Sequence, residues 1–124
     1  MSAIPAGISA TTPLVLIASP SRDEHTMYAE YLASIGFRVA TTTRGDDAIV
    51  KARALAAAVV VASVQLPGRD GIEVCRALQE ANIPVILLAS VPFFRTAPCA
   101  AVILRPALPH EVSATVERLL APER

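Results

Sequence analysis

The polar side chains that follow the apolar runs of this chain are few, and their types limit the chemistry. Ser19 follows Leu14-Val15-Leu16-Ile17-Ala18, Ser63 follows Val59-Val60-Val61-Ala62, Ser90 follows Val85-Ile86-Leu87-Leu88-Ala89, and Arg105 follows Ala101-Val102-Ile103-Leu104. Open α/β sheets place ligands and reacting groups at the carboxyl ends of their central strands. A serine there becomes a nucleophile only beside a general base. The neighbouring strand ends hold Ser19, Pro20, Ala89, Ser90 and Arg105, none of which is a base. Ser63 is therefore read as a strand terminator. Asp70, in the turn Pro67-Gly68-Arg69-Asp70-Gly71, is the nearest acid in sequence. Aspartate in such a turn bonds to its own backbone, so a structural role is expected.

His25 and His110 stand near the starts of the first and last helical stretches, and neither has a second His, Cys or acid at metal-ligand spacing. Both are expected on the surface. Cys75 fits the inner face of a helix and Cys99 a loop. The two form neither a C-x-x-C pair nor a metal cluster, so no disulfide framework and a reducing compartment are expected. No basic cluster adjoins Cys99 in sequence to lower its thiol pKa, which argues against a redox role. Phe93-Phe94 holds two of the three phenylalanines. The pair is expected either to fill a gap in the packing or to anchor a partner.

The composition bounds the rest. With 124 residues, 53% of them hydrophobic, the chain has the length and apolar content of one domain with a real core. A formal net charge of +0 gives no basic field for nucleic acid, so this domain alone is not expected to bind it. It also lessens repulsion between copies, which favours self-association. No apolar run reaches the ~20 residues of a membrane-crossing helix, and no signal-peptide pattern opens the chain. A cytoplasmic protein is expected, with residues 1–12 as a flexible tail and 13–121 as the folded domain.

The positioning elements follow from hydrophobic period. Five short apolar runs, at residues 14–18, 37–41, 58–62, 85–88 and 101–104, read as strands, most of them buried on both faces. Between them lie helical stretches. The first, from Ser21 to Gly36, is expected to face Met27, Tyr28, Tyr31, Leu32 and Ile35 inward; the second, near 46–55, does so with Ala48, Ile49, Ala52 and Leu55. A third begins near Gly71 with Ile72, Val74, Cys75 and Leu78 inward. The last opens at Pro109, with Leu108, Val112, Val116, Leu119 and Leu120 on its apolar side. Alternation of strand and helix predicts a doubly wound, five-stranded parallel sheet covered on both faces, a three-layer αβα sandwich.

The third strand with its Pro-Gly-Arg-Asp-Gly loop, and the basic residue followed by proline at Arg105-Pro106, resemble the receiver domain of bacterial two-component response regulators, a CheY-like, flavodoxin-like fold. The resemblance runs from about Leu14 to Leu120. It implies that a phosphate-accepting aspartate belongs where Ser63 stands, and that two magnesium-holding acids belong on or beside Ser19 and Pro20. Magnesium prefers anionic oxygens in octahedral geometry, and these positions offer two hydroxyls and a donorless ring. The resemblance further places a hydroxyl residue at Ala89, with Ser90 next to it, a lysine at Arg105 and a switching aromatic at Val102. Arginine is planar and bulkier than lysine, and valine has little rotamer freedom. Without carboxylates beside it, Arg105 is expected to turn to solvent or to bond backbone carbonyls.

Pro92 and Pro98 leave little room for the family's fourth helix, which is expected to be shortened or absent. The combined losses predict a degenerate pseudo-receiver: no enzyme, no cofactor, no metal, and signalling through contact with a protein partner or in a homodimer. The face expected to carry that contact is residues 91–98, the fifth strand and the last helix. Two other readings remain open. One is phosphotransfer with Ser63 or Asp70 as an unusual acceptor. The other is a flavodoxin-like flavin or nucleotide binder using the loop Ser19-Pro20-Ser21-Arg22, which lacks the glycines of phosphate-binding loops.

Overall fold

The computed structural model describes residues 12–92 and 98–121. Phe93 and Phe94, and nearly all of the expected tail, lie outside the described residues. The order is β1 (Leu14–Ala18), α1 (Arg22–Ser34), β2 (Arg38–Thr42), α2 (Gly45–Ala54), β3 (Val59–Ser63), α3 (Gly71–Gln79), β4 (Val85–Ala89), β5 (Ala101–Leu104) and α4 (Pro109–Leu120). All five strands are parallel in one sheet of order β2-β1-β3-β4-β5. The doubly wound α/β fold is the expected one. Among the described residues no α-helix lies between β4 and β5.

Period-two alternation divides the core. Leu16, Val60 and Leu87 point to the face covered by α2 and α3, where they meet Ala48, Ala52, Val74 and Leu78. Val15, Ile17, Val61 and Leu88 point to the other face, against Tyr28, Leu32, Val112 and Val116 of α1 and α4. Every residue of β1, β3 and β4 is buried, which explains why these strands read as unbroken apolar runs. Both edge strands are only partly covered.

Local signals fix the helix starts. The Ser21 hydroxyl caps α1 by accepting from Glu24 N at 3.1 Å. At α3, Asp70 Oδ1 accepts from Glu73 N and the Glu73 carboxylate accepts from Asp70 N, a reciprocal box that commits Asp70 to the turn. Gly68 in the loop ahead of it has φ +84°, a conformation that suits glycine.

Three expectations need correction. The inward face of α1 is His25, Tyr28, Ala29 and Leu32; Met27 and Ile35 are exposed, as are Leu55 and Leu108. The helix packs through positions i, i+3, i+4 and i+7, and the extra apolar residues fall beside that stripe. His25 is accordingly buried, with no partner for its Nδ1 among the described residues, and is not a surface residue. Cys75 and Cys99 form a disulfide with Cα atoms 5.5 Å apart. The fold brings the inner face of α3 against the segment leading into β5, a proximity that a separation of 24 residues does not announce.

Candidate functional site

Parallel strands bring the carboxyl ends of β1, β3 and β4 to one rim, with the residue after β5 beside them. The side chains there form one hydrogen-bonded cluster. Arg105 Nη2 donates to Ser63 Oγ at 2.7 Å and to Glu24 Oε1 at 2.9 Å, while Arg105 Nε donates to Glu24 Oε2 at 2.9 Å. Nη1 donates to the Leu88 carbonyl at 3.1 Å. The Ser19 hydroxyl donates to Glu24 Oε1 at 2.7 Å. The cluster lines a cleft of about 410 Å³ shared with Pro20, Ser21 and Ser90.

Backbone bonds hold the framework in place. Arg105 N donates to the Ala89 carbonyl at 2.8 Å, continuing the β4–β5 ladder one residue past the strand, and so aims the arginine across the rim. The Arg105–Pro106 peptide is cis. Ala89 itself is fully buried, Ser90 is exposed, and Val102 is half-buried opposite Leu87.

Glu24 is the site residue that sequence reasoning missed. It lies three residues after the cap Ser21, and Ser-x-x-Glu is the pattern of a capping box, in which the glutamate returns to the cap's own amide. Here that amide donates to Ser19 Oγ at 3.1 Å instead. The carboxylate is left to reach Arg105, 81 residues further along. The expected unpaired arginine is thus corrected: its guanidinium is both carbonyl-bonded and neutralised. Tyr28, on the same helix, donates to the Ala107 carbonyl at 2.7 Å and anchors the turn that carries the arginine.

The pair is partly shielded, with side-chain exposures of 17% for Glu24 and 27% for Arg105. Bonding from Arg105 holds the Glu24 carboxyl below the usual carboxylate range, against an opposing push from burial. Bonding to Glu24 raises the Arg105 pKa in turn. Both groups remain charged through the physiological range.

A magnesium ion does not fit this donor set. Pro20 offers no side-chain donor, Ser63 Oγ already receives an N–H, and Ser19 Oγ spends its proton on Glu24. The one carboxylate accepts three bonds. A hard dication would have to displace a guanidinium that it also repels. Among the described residues no group of three or more His, Cys, Asp or Glu is placed to hold a metal ion.

Five parallel strands, the rim site and the Arg-Pro step define a class, and the sequence matches the response regulator receiver domain over residues 15–92. The chain belongs to the response regulator receiver family of two-component signalling. It is 41% identical over 56 residues to the transcriptional regulatory protein AfsQ1 of Streptomyces coelicolor, an overlap of 44% of this chain and 25% of that protein. The chain thus spans about a quarter of that relative's length. In structure it is similar to CheY in the CheX-CheY-BeF3-Mg complex of Borrelia burgdorferi, at TM-score 0.80 and 20% identity over 90% of this chain and 91% of that one. It is also similar to the BeF3-activated DrrB receiver domain, at TM-score 0.76 and 27% identity over 86% and 96%.

Proposed function

We propose that this domain signals without phosphorylation, through contact with another protein, and that it is no enzyme. The Arg105–Glu24 pair carries the reading. Where the family draws a phosphoryl group toward a cation, this chain supplies its own carboxylate to its own arginine and closes the electrostatic account internally. An incoming phosphoryl would lose the counter-charges that transfer requires. Asp70 is held in the α3 cap, and among the described residues Ser63 Oγ bonds to the Arg105 cation and to no base, so neither alternative acceptor is favoured.

The contact face is the one that departs from the family: the β4–β5 connection, the half-covered edge strand β5, and α4. The CheX-CheY complex supports the reading that receivers of this shape dock on proteins. The absence of a net basic field argues against nucleic acid as the partner of this domain by itself. No described helix is long and apolar enough to cross a membrane, and we place the protein in the cytoplasm on the family's signalling role.

The test is a two-dimensional amide spectrum before and after adding magnesium with beryllofluoride. An unchanged spectrum is expected. Shifts clustered at Ser19, Ser63, Ala89 and Arg105 would overturn the reading. Sedimentation of the domain alone then separates a self-contact from a contact with a second signalling protein.

A further inference from the structure

The rim cluster is not the only chemistry in the molecule, for at the other end of the sheet a cavity of about 400 Å³ opens on the Cys75–Cys99 bond. We propose that this bond is a reversible thiol–disulfide site, exchanging with a small thiol that enters the cavity, and that its state governs how firmly the start of β5 is held. The inference depends on no feature of the Arg105 cluster.

Three observations carry it. The two sulfurs are unequal: Cys75 is 2% exposed on the inner face of α3, whereas Cys99 is only partly buried. Attack is therefore directed to Cys99, with Cys75 as the leaving thiolate. The cavity is lined by neutral groups, among them Gln79, Asn82, Pro84 and Pro98, so no fixed charge repels an anionic thiolate. Finally, the bond is the covalent link between α3 and the segment leading into β5. That strand is an edge strand of four half-covered residues, paired among the described residues only to β4.

The step balances as two exchanges. A thiolate RS⁻ attacks Cys99 Sγ, and the electrons of the protein disulfide leave on Cys75 Sγ, which takes a proton. A second RS⁻ attacks the R-side sulfur of the mixed disulfide and releases Cys99, which takes another proton. The protein gains two electrons and two protons, and two RSH become RSSR. Oxidised thiol, RSSR, drives the reverse. Reduction frees the start of β5, which is then held by the Ala100 N to Val85 O bond of 3.0 Å and by the ladder.

The whole chain is equilibrated in glutathione buffers from reduced to oxidised, acid-quenched, alkylated and weighed. Amide exchange of Ala101–Leu104 is followed in parallel. The two thiols are expected to appear and vanish together. Exchange in β5 should quicken about tenfold or more on reduction, and the melting temperature should fall by on the order of 10 °C. Cys99→Ser should show the reduced-form exchange in every buffer. Thiols that stay alkylatable in oxidised glutathione, a bond that survives excess reduced glutathione, or a Cys99 adduct that never resolves onto Cys75 would overturn the proposal. So would β5 exchange that is equal in the two forms, a comparison that needs no variant to fold.

Discussion

Glu24 and Arg105 meet side on, with Nε and Nη2 of the arginine each 2.9 Å from a different carboxylate oxygen. Glu24→Gln removes the anion and leaves a partly shielded guanidinium with a weaker partner. Between the small worth of exposed pairs and the larger cost of breaking buried ones, the expected loss is about 2 kcal/mol in urea unfolding at pH 7.

The same pair fixes a pH dependence. Because the folded-state pKa of Glu24 is depressed, its contribution is complete above the unfolded value of about 4.3 and is lost as pH falls through the lower folded value. The stability gap between wild type and Glu24→Gln should stay level from neutral pH to about 5 and narrow in more acidic buffers. A gap that widens on acidification would refute the assignment.

Ser63→Asp restores the family's acceptor type at the end of β3. The new carboxylate would stand within reach of Arg105 Nη2, which already contacts Ser63 Oγ at 2.7 Å, and would be neutralised there. Pro20 still supplies no ligand. Intact-mass measurement after incubation with acetyl phosphate and magnesium should show no added phosphate on this variant or on wild type.

Gly71→Ala tests the loop that follows β3. A Cβ at that position would strike the Ser63 carbonyl oxygen and come 2.7 Å from Leu87 Cδ1. Backbone must move, and overpacking of this kind costs roughly 1–3 kcal/mol or more. Thermal melts should register the loss. Chemical shifts should change at Ser63 and Val64, because the Gly71 amide donates to the Val64 carbonyl at 2.8 Å.

Tyr28→Phe deletes the buried bond to the Ala107 carbonyl and leaves that acceptor without its partner. The expected destabilisation is about 1–3 kcal/mol. The Arg105 side-chain resonances should broaden, since the turn behind the arginine loses its tie to α1.

Much of this was legible in the chain. Strands buried on both faces announce themselves as unbroken apolar runs, so β1, β3 and β4 and the position of Ser63 could be read directly, while Arg105 was placed by the short apolar run of the half-covered edge strand β5. The half-covered β2 was readable from its alternation. Helix faces were less clear. In α1 the apolar residues 27, 28, 31, 32 and 35 span more than one stripe, and the stripe that packs includes a histidine and an alanine. Glu24 and the Cys75–Cys99 bond were hidden for a different reason. Both are pairings across many residues, set by the order β2-β1-β3-β4-β5 rather than by any local pattern. The Ser-x-x-Glu signal was present but pointed to a local cap.

Cys99 lies before β5 and Arg105 immediately after it. Four extended residues put roughly 13 Å between those two ends, beyond the range at which substitutions ordinarily interact. Thiol chemistry can therefore be used to immobilise or label the domain at one pole while the opposite pole is rebuilt by mutation, and β5 is the shared element through which the two alterations are felt together.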